Sequence, residues 1–220
     1  MTAPLFLDET ATVWSVPGEQ RHDLPLVIVM HGRGSDENDL AALFGELPAG
    51  FVYASVRAPF DEGPGWSWFE AADGNESGDP APENADRAAD AVLEWLDGLG
   101  WAPPLVGTLG FSQGGAMSTH VLRRDPGRVR FAVNLAGFIA RGGQPTDDAL
   151  AVAKPPVFWG RGAEDALFSA PILTRSEPWL ASHSTLESHV YPGLGHSISR
   201  EELDDVVAFL RAREGRRQAL

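Results

Sequence analysis

The sequence predicts an α/β protein, a mainly parallel sheet with helices on both faces, on three observations. Short continuous apolar runs recur along the chain, as in strands buried on both sides. Helical apolar periodicity falls between those runs, and alternation of the two over this length is the pattern of a parallel sheet whose functional loops gather at the strands' carboxyl ends. With 220 residues, 43% of them hydrophobic, and neither an internal repeat nor a long polar tract, one domain over residues 1–220 is expected to bury about 70% of its unfolded surface.

The elements follow in order. Leu5-Phe6-Leu7 and Thr12-Val13-Trp14-Ser15-Val16 are expected to supply an antiparallel edge pair. Leu26-Val27-Ile28-Val29-Met30 is uniformly apolar and ends at His31-Gly32, a strand exit, and residues 51–55 form the next run. Residues 61–83, rich in Gly, Pro, Asp and Glu, are too polar and broken for core and are expected to be a surface excursion that can still carry function. Ala85, Ala88, Ala89, Val92, Leu93 and Leu96 recur at helical spacing. Residues 105–109 make a strand, and Gly115-Ala116-Met117-Ser118-Thr119-His120-Val121-Leu122 a helix. Further strands are predicted at 131–135, 157–160 and 186–191. Leu203, Val206, Val207 and Leu210 mark a last helix, whose start is signalled by Ser199 and Glu202 as a capping box.

Composition excludes several function classes. No run approaches the 18 or more apolar residues of a membrane span, and the first residues lack the basic region of a secretion signal, so a cytoplasmic protein is expected. The chain has no cysteine, which removes disulfides, thiolate metal sites and a cysteine nucleophile. A formal charge of −14 repels phosphate backbones and anionic lipid, so neither nucleic acid nor stable membrane association is expected. Lys154 is the lone lysine, and Arg211, Arg213, Arg216 and Arg217 read as a solvated helix end. No histidine and carboxylate set has zinc-site spacing, so no metal and no cofactor is expected. His22, His120, His183 and His189 are adequately explained by packing or surface roles.

Gly110-Phe111-Ser112-Gln113-Gly114 carries the chemistry. A serine bracketed by glycines between strand and helix is the pattern of a nucleophile elbow. The strained turn leaves no room for Cβ atoms two residues to either side, and it places the N–H of Gln113 at a helix start, where negative charge is favoured. Such an elbow requires its acid and base later in the chain, on loops beyond later strands. Residues 157–160 are followed by Arg161-Gly162-Ala163-Glu164-Asp165, and residues 186–191 by Pro192-Gly193-Leu194-Gly195-His196. His196 is expected to take the Ser112 proton and Asp165 to hold its other ring nitrogen, with Glu164 as the neighbouring rival. His31-Gly32-Arg33-Gly34 lies where a second oxyanion donor belongs, the backbone N–H of Arg33 beside that of Gln113. The Arg33 side chain is expected to be solvated.

His31-Gly32-Arg33-Gly34, Arg57-Ala58-Pro59, Gly65-Trp66-Ser67-Trp68-Phe69, Gly110-Phe111-Ser112-Gln113-Gly114-Gly115, Gly162-Ala163-Glu164-Asp165 and Gly195-His196 together resemble the phospholipase/carboxylesterase family of α/β-hydrolases, which includes the acyl-protein thioesterases. The resemblance runs from about residue 26 to residue 210. It implies an α/β-hydrolase fold without a large lid domain, a triad of Ser112, Asp165 and His196, oxyanion donors at Arg33 and Gln113, and hydrolysis of carboxylic esters, some members acting on thioesters or lysophospholipids. Ala166-Leu167-Phe168-Ser169 lacks the expected valine-proline continuation, and Asn134-Leu135-Ala136-Gly137 has alanine where a serine-glycine pair is common. Both departures bear on acyl specificity rather than on the triad.

Trp66, Trp68 and Phe69, with Phe138, Leu167 and Phe168, are the candidate walls of a substrate pocket; for the three aromatics of the 61–83 segment, anchoring that loop to the core is the competing role. The expected function is serine hydrolysis of esters with small or medium acyl groups. Acyl-thioester or lysophospholipid hydrolysis on longer chains is the alternative, and a noncatalytic hydrolase-fold binding protein is the rival of another class. The expected partner is a small-molecule ester or thioester, and the sequence leaves a monomer and a homodimer both open.

Overall fold

A computed structural model describes residues 4–70, 79–167 and 169–214. Nine strands occur among them: β1 (Val13–Trp14), β2 (Leu26–Met30), β3 (Val52–Val56), β4 (Phe60–Asp61), β5 (Trp66–Ser67), β6 (Val106–Phe111), β7 (Val129–Leu135), β8 (Pro156–Gly162) and β9 (Thr185–Tyr191). The helices are α1 (Pro82–Asp97), α2 (Gln113–Arg124), α3 (Asp147–Ala153), α4 (Ala170–His183) and α5 (Arg200–Arg211). Seven strands form one sheet in the order β1-β3-β2-β6-β7-β8-β9, and β4 and β5 make a separate hairpin. Every pairing in the large sheet is parallel except β1 with β3. The mainly parallel architecture is that of an α/β-hydrolase.

The uniformly apolar β2 shows why the strands read as they do. Leu26, Ile28 and Met30 enter the core on one face of the sheet, under Ala88 and Val92 of α1 and Met117 and Val121 of α2. Val27 and Val29 enter the core on the other face, under Leu203, Val206 and Phe209 of α5. Alternation is present, but both of its phases are buried. Between β2 and β6 the strand order reverses direction, because the chain leaves β2 for β3 on one side and β6 for β7 on the other. The crevice at the carboxyl ends of these two strands is therefore where such a sheet binds ligands.

Some expectations are corrected. Leu5-Phe6-Leu7 is not a strand: Leu7 packs into the core while Phe6 is 62% exposed, and only Val13–Trp14 pairs with β3. The segment 61–83 is no simple surface excursion. It contains the β5 strand, fully buried Trp68 and Phe69, and the first residues of α1; residues 71–78 lie outside the described residues. At its far end Asp79, almost fully buried, pairs with Arg141 and Arg175. Helices α3 and α4 were not signalled in the sequence. Pro171 and Pro178 within α4 mask its pattern, since proline is disfavoured in a helix interior, and α3 is only two turns long. Residues 186–191 lie in β9, an edge strand with much of its surface exposed.

The remaining histidines pack or pair. His22 stacks on Trp101, His183 on Trp179 and His189 on Phe158, while buried His120 lies 2.8 Å from Asp86. Of the arginine-rich tail, Arg216 and Arg217 lie outside the described residues. No helix among the described residues is long and apolar enough to cross a membrane.

Candidate active site

Strand β6 ends at Phe111, and the next residue, Ser112, sits at φ 56°, ψ −117° before α2 begins. This left-handed region is costly for any residue with a Cβ. The conformation is imposed from both sides. A Cβ on Gly110 would stand 2.0 Å from the Gly114 carbonyl oxygen, and one on Gly114 would stand 1.9 Å from that of Met30. The N–H of Ser112 donates to Leu135 O at 2.8 Å, tying the turn to β7. Gly114→Ala is expected to displace the end of β2 and to cost about 2–3 kcal/mol, lowering the melting midpoint by about 5–10 °C. Gly45→Ala, where a Cβ meets nothing within 4 Å, should change stability by less than about 0.5 kcal/mol; thermal unfolding of both variants checks the contrast.

Three side chains from three loops meet here. His196 Nε2 lies 2.8 Å from Ser112 Oγ, and His196 Nδ1 lies 2.6 Å from Asp165 Oδ2. The Asp165 side chain is fully buried, and its other oxygen accepts the N–H of Leu167 at 3.0 Å. Asp165 faces inward and Glu164 outward to solvent, which separates the two carboxylates that the sequence left as rivals. Gly162 makes the loop contact possible: a Cβ there would stand 2.1 Å from Leu194 O. With the gap closed, Ala163 N–H donates to Tyr191 O and Glu164 N–H to Leu194 O, clamping the acid loop onto the histidine loop. A carboxylate accepting from Nδ1–H leaves the Nε2 lone pair facing the serine hydroxyl, an arrangement able to draw off its proton.

The loop after β2 completes the arrangement. Among the described residues, neither the Arg33 N–H nor the Gln113 N–H has a protein hydrogen-bond partner. His31 is fully buried beneath this loop. Its Nδ1–H donates to Gly32 O at 2.7 Å and its Nε2 accepts from Ala58 N–H at 3.1 Å. Burial holds its pKa below the usual histidine range, so it serves as a neutral strut with one fixed tautomer. The Gln113 side chain is a second strut: its Oε1 accepts from Trp68 N–H and its Nε2 donates to Phe69 O, both at 3.0 Å. The indole N–H of Trp68 donates to His31 O at 2.9 Å. Sequence reading assigned neither side chain a part, although both lie in the quoted motifs. The Arg33 guanidinium is paired with Glu62 at 2.9 Å rather than simply solvated, and Glu62 raises its pKa.

The decisive comparison covers nearly the whole chain: a Phospholipase/Carboxylesterase family profile matches residues 12–213. The chain belongs to the phospholipase/carboxylesterase family. It is similar to probable carboxylesterase SOBER1-like of Arabidopsis thaliana, 31% identical over 157 residues, a match covering 67% of this chain and 59% of that protein. It is also similar to acyl-protein thioesterase 1 of Eremothecium gossypii, 33% identical over 112 residues, 47% of this chain and 45% of that one. The match thus spans under two thirds of these relatives' own length. Among solved structures, esterase PE8 superposes with a TM-score of 0.74 at 24% identity, covering 94% of this chain and 99% of that one. Acyl-protein thioesterase 2 of Zea mays gives 0.72 at 22% identity, covering 93% and 99%. At these identities the structural matches show the shared fold.

In this phospholipase/carboxylesterase-family protein the walls expected of the pocket are distributed differently. Trp68 and Phe69 have no exposed surface and Phe138 very little, so all three are core residues and the anchoring role is the one observed for Trp68 and Phe69. Trp66 is partly buried, with the Arg57 guanidinium 4.8 Å from its ring centroid. Leu167 is 53% exposed, and Phe168 lies outside the described residues. A cleft of about 500 Å³ adjoins the imidazole, lined by Leu40, Leu43, Phe111, His196, Ile198 and Leu203, with Asp39 and Arg200 among its polar residues. Among the described residues no group of three or more His, Cys, Asp or Glu side chains gathers to hold a metal.

The family member's last helix departs from the capping-box expectation in one half. Ser199 Oγ accepts the N–H of Glu202 at 3.1 Å, but the Glu202 carboxyl does not reach back. It turns inward, 1% exposed, with neither oxygen hydrogen-bonded among the described residues, and fills the space over Gly160. Burial pushes its pKa up to about 7 from 4.5. The native state then holds this proton more tightly than the unfolded chain does. Its contribution is complete below about pH 4.5 and is lost as pH rises through 7, a change on the order of 3 kcal/mol. Urea unfolding at pH 5 and pH 8 should therefore show a smaller loss of stability with rising pH in Glu202→Gln than in the native protein.

Proposed function

We propose that the protein is a serine carboxylic ester hydrolase acting on small or medium acyl groups. One observation carries the reading: the Ser112–His196–Asp165 chain of 2.8 Å and 2.6 Å contacts, together with the N–H groups of Arg33 and Gln113, which have no protein partner among the described residues. Ser112 Oγ attacks the ester carbonyl carbon as His196 Nε2 takes the hydroxyl proton. The negative charge that forms on the carbonyl oxygen is met by the N–H groups of Arg33 and Gln113, the latter at the start of α2 where the helix field adds to it. Collapse breaks the bond to the alcohol, which leaves with the proton carried by His196. A water then gives a proton to His196 Nε2 and attacks the acyl carbon, and as the bond to Ser112 Oγ breaks His196 returns that proton to the serine oxygen, releasing the acid and restoring free Ser112. Asp165 keeps the imidazole in the required tautomer and stabilises it when charged.

The same steps serve a thioester, and similarity to an acyl-protein thioesterase of 33% identity supports thioester or lysophospholipid hydrolysis as the second reading. A panel of p-nitrophenyl esters from acetate to palmitate tests both. The expected result is turnover with an initial burst of p-nitrophenol near the enzyme concentration and a preference for the shorter acyl chains. A preference for the longest chains would move the assignment to the second reading, and no turnover by folded protein on any ester would end the hydrolase reading.

A further inference from the structure

We infer that the cleft beside His196 seats the leaving group of the substrate and that it selects a neutral, apolar alcohol. The inference rests on the esterase reading and deepens it. A leaving oxygen must receive its proton from His196 Nε2, so the atoms bonded to that oxygen lie against the imidazole. The acyl carbon, in contrast, stays bound to Ser112 with its oxygen at the N–H groups of Arg33 and Gln113. The cleft of about 500 Å³ includes His196 in its lining but none of Ser112, Arg33, Gln113 or the β4–β5 hairpin. It therefore adjoins the imidazole apart from the nucleophile, the oxyanion donors and the hairpin.

Its chemistry fixes the kind of group it takes. Leu40, Leu43, Phe111, Ile198 and Leu203 supply an apolar surface, and the Phe111 ring centroid lies 4.9 Å from that of the imidazole, so the apolar lining reaches the histidine ring. Among the described residues the lining's cation is Arg200, which is paired with Glu46 at 2.9 Å and with Asp204 at 3.1 Å. With Asp39 also present, carboxylates outnumber cations locally, which disfavours a phosphate- or carboxylate-bearing leaving group. An aliphatic or aromatic alcohol of several carbons fits both the volume and the lining.

Two ester series separate the halves of the substrate: acetates of methyl to hexyl alcohol, and p-nitrophenyl esters of acetate to hexanoate. In the native protein kcat/KM is expected to rise along the alcohol series, by up to about fourfold per methylene. Leu43→Trp, which fills the cleft, should flatten that rise while leaving both the acyl-length dependence and the deacylation rate after the burst unchanged, because the alcohol has departed by then. Ile198→Trp fills the cleft from another residue of its lining and gives the same reading should Leu43→Trp fold poorly. An alcohol series unaffected by either filled variant, or an acyl series and deacylation rate altered in its place, would overturn the assignment and make the cleft an acyl site. Absence of turnover on every ester would instead remove the esterase reading itself.

Discussion

Ser112→Ala is expected to lower kcat/KM for p-nitrophenyl acetate by about 10³-fold or more with the fold intact. Among the described residues the hydroxyl is the group that His196 Nε2 faces, at 2.8 Å, and its loss leaves the imidazole to deprotonate water. The residual rate would come from the two N–H groups and from substrate positioning. Alanine keeps the Cβ of serine, so the strain at φ 56° is unchanged and stability should move by less than about 0.5 kcal/mol. Ser112→Gly, by relieving that strain, should lose activity equally yet gain about 1 kcal/mol of stability. A protein that becomes inactive and more stable at once is the signature of strain held at a functional residue. Steady-state kinetics and chemical denaturation on the two variants read out both effects.

Asp165→Asn should lower kcat by about 10⁴-fold. The Asp165 carboxylate accepts at both oxygens, from His196 Nδ1 at 2.6 Å and from Leu167 N–H at 3.0 Å. An amide retains one acceptor. If that oxygen keeps the Leu167 bond, the amide N–H₂ points at Nδ1, which must then give up its proton and accept, placing the proton on Nε2. The imidazole would face Ser112 as a donor, unable to take its proton. Glu164→Gln, at the exposed neighbour, should change kcat by less than about twofold. Equal losses at the two positions would show that the acid loop, and not the charge of Asp165, matters to turnover.

What was legible in the sequence was whatever rests on short-range sterics or on chain order. Gly110 and Gly114 announce the elbow because their missing Cβ atoms are required within five residues, and Gly162 marks the loop that carries Asp165 for a related reason. The strands were legible because β2 and its neighbours are buried on both faces. What depends on distant partners was not. Nothing near His31 reveals that Ala58 N–H will meet its ring, and nothing near Gln113 shows that its amide will clamp the backbone of Trp68 and Phe69. The polarity of residues 61–83 argued for a loop at the surface, while two aromatics within it were enough to draw its middle into the core. The cleft beside His196 joins residues 39–43 to residues 196–203, a juxtaposition made only by the sheet order. Glu202 was read from local spacing as a cap, but the cavity over Gly160 captured its side chain.

The most direct test of the account is covalent trapping. Incubation with diethyl p-nitrophenyl phosphate, followed by peptide mass mapping, should release one equivalent of p-nitrophenol, abolish ester hydrolysis in step with it, and leave a single diethylphosphoryl group on Ser112. Ester hydrolysis that persists in fully reacted protein, or inactivation with the label on any other residue, would contradict the assignment of Ser112 as the nucleophile.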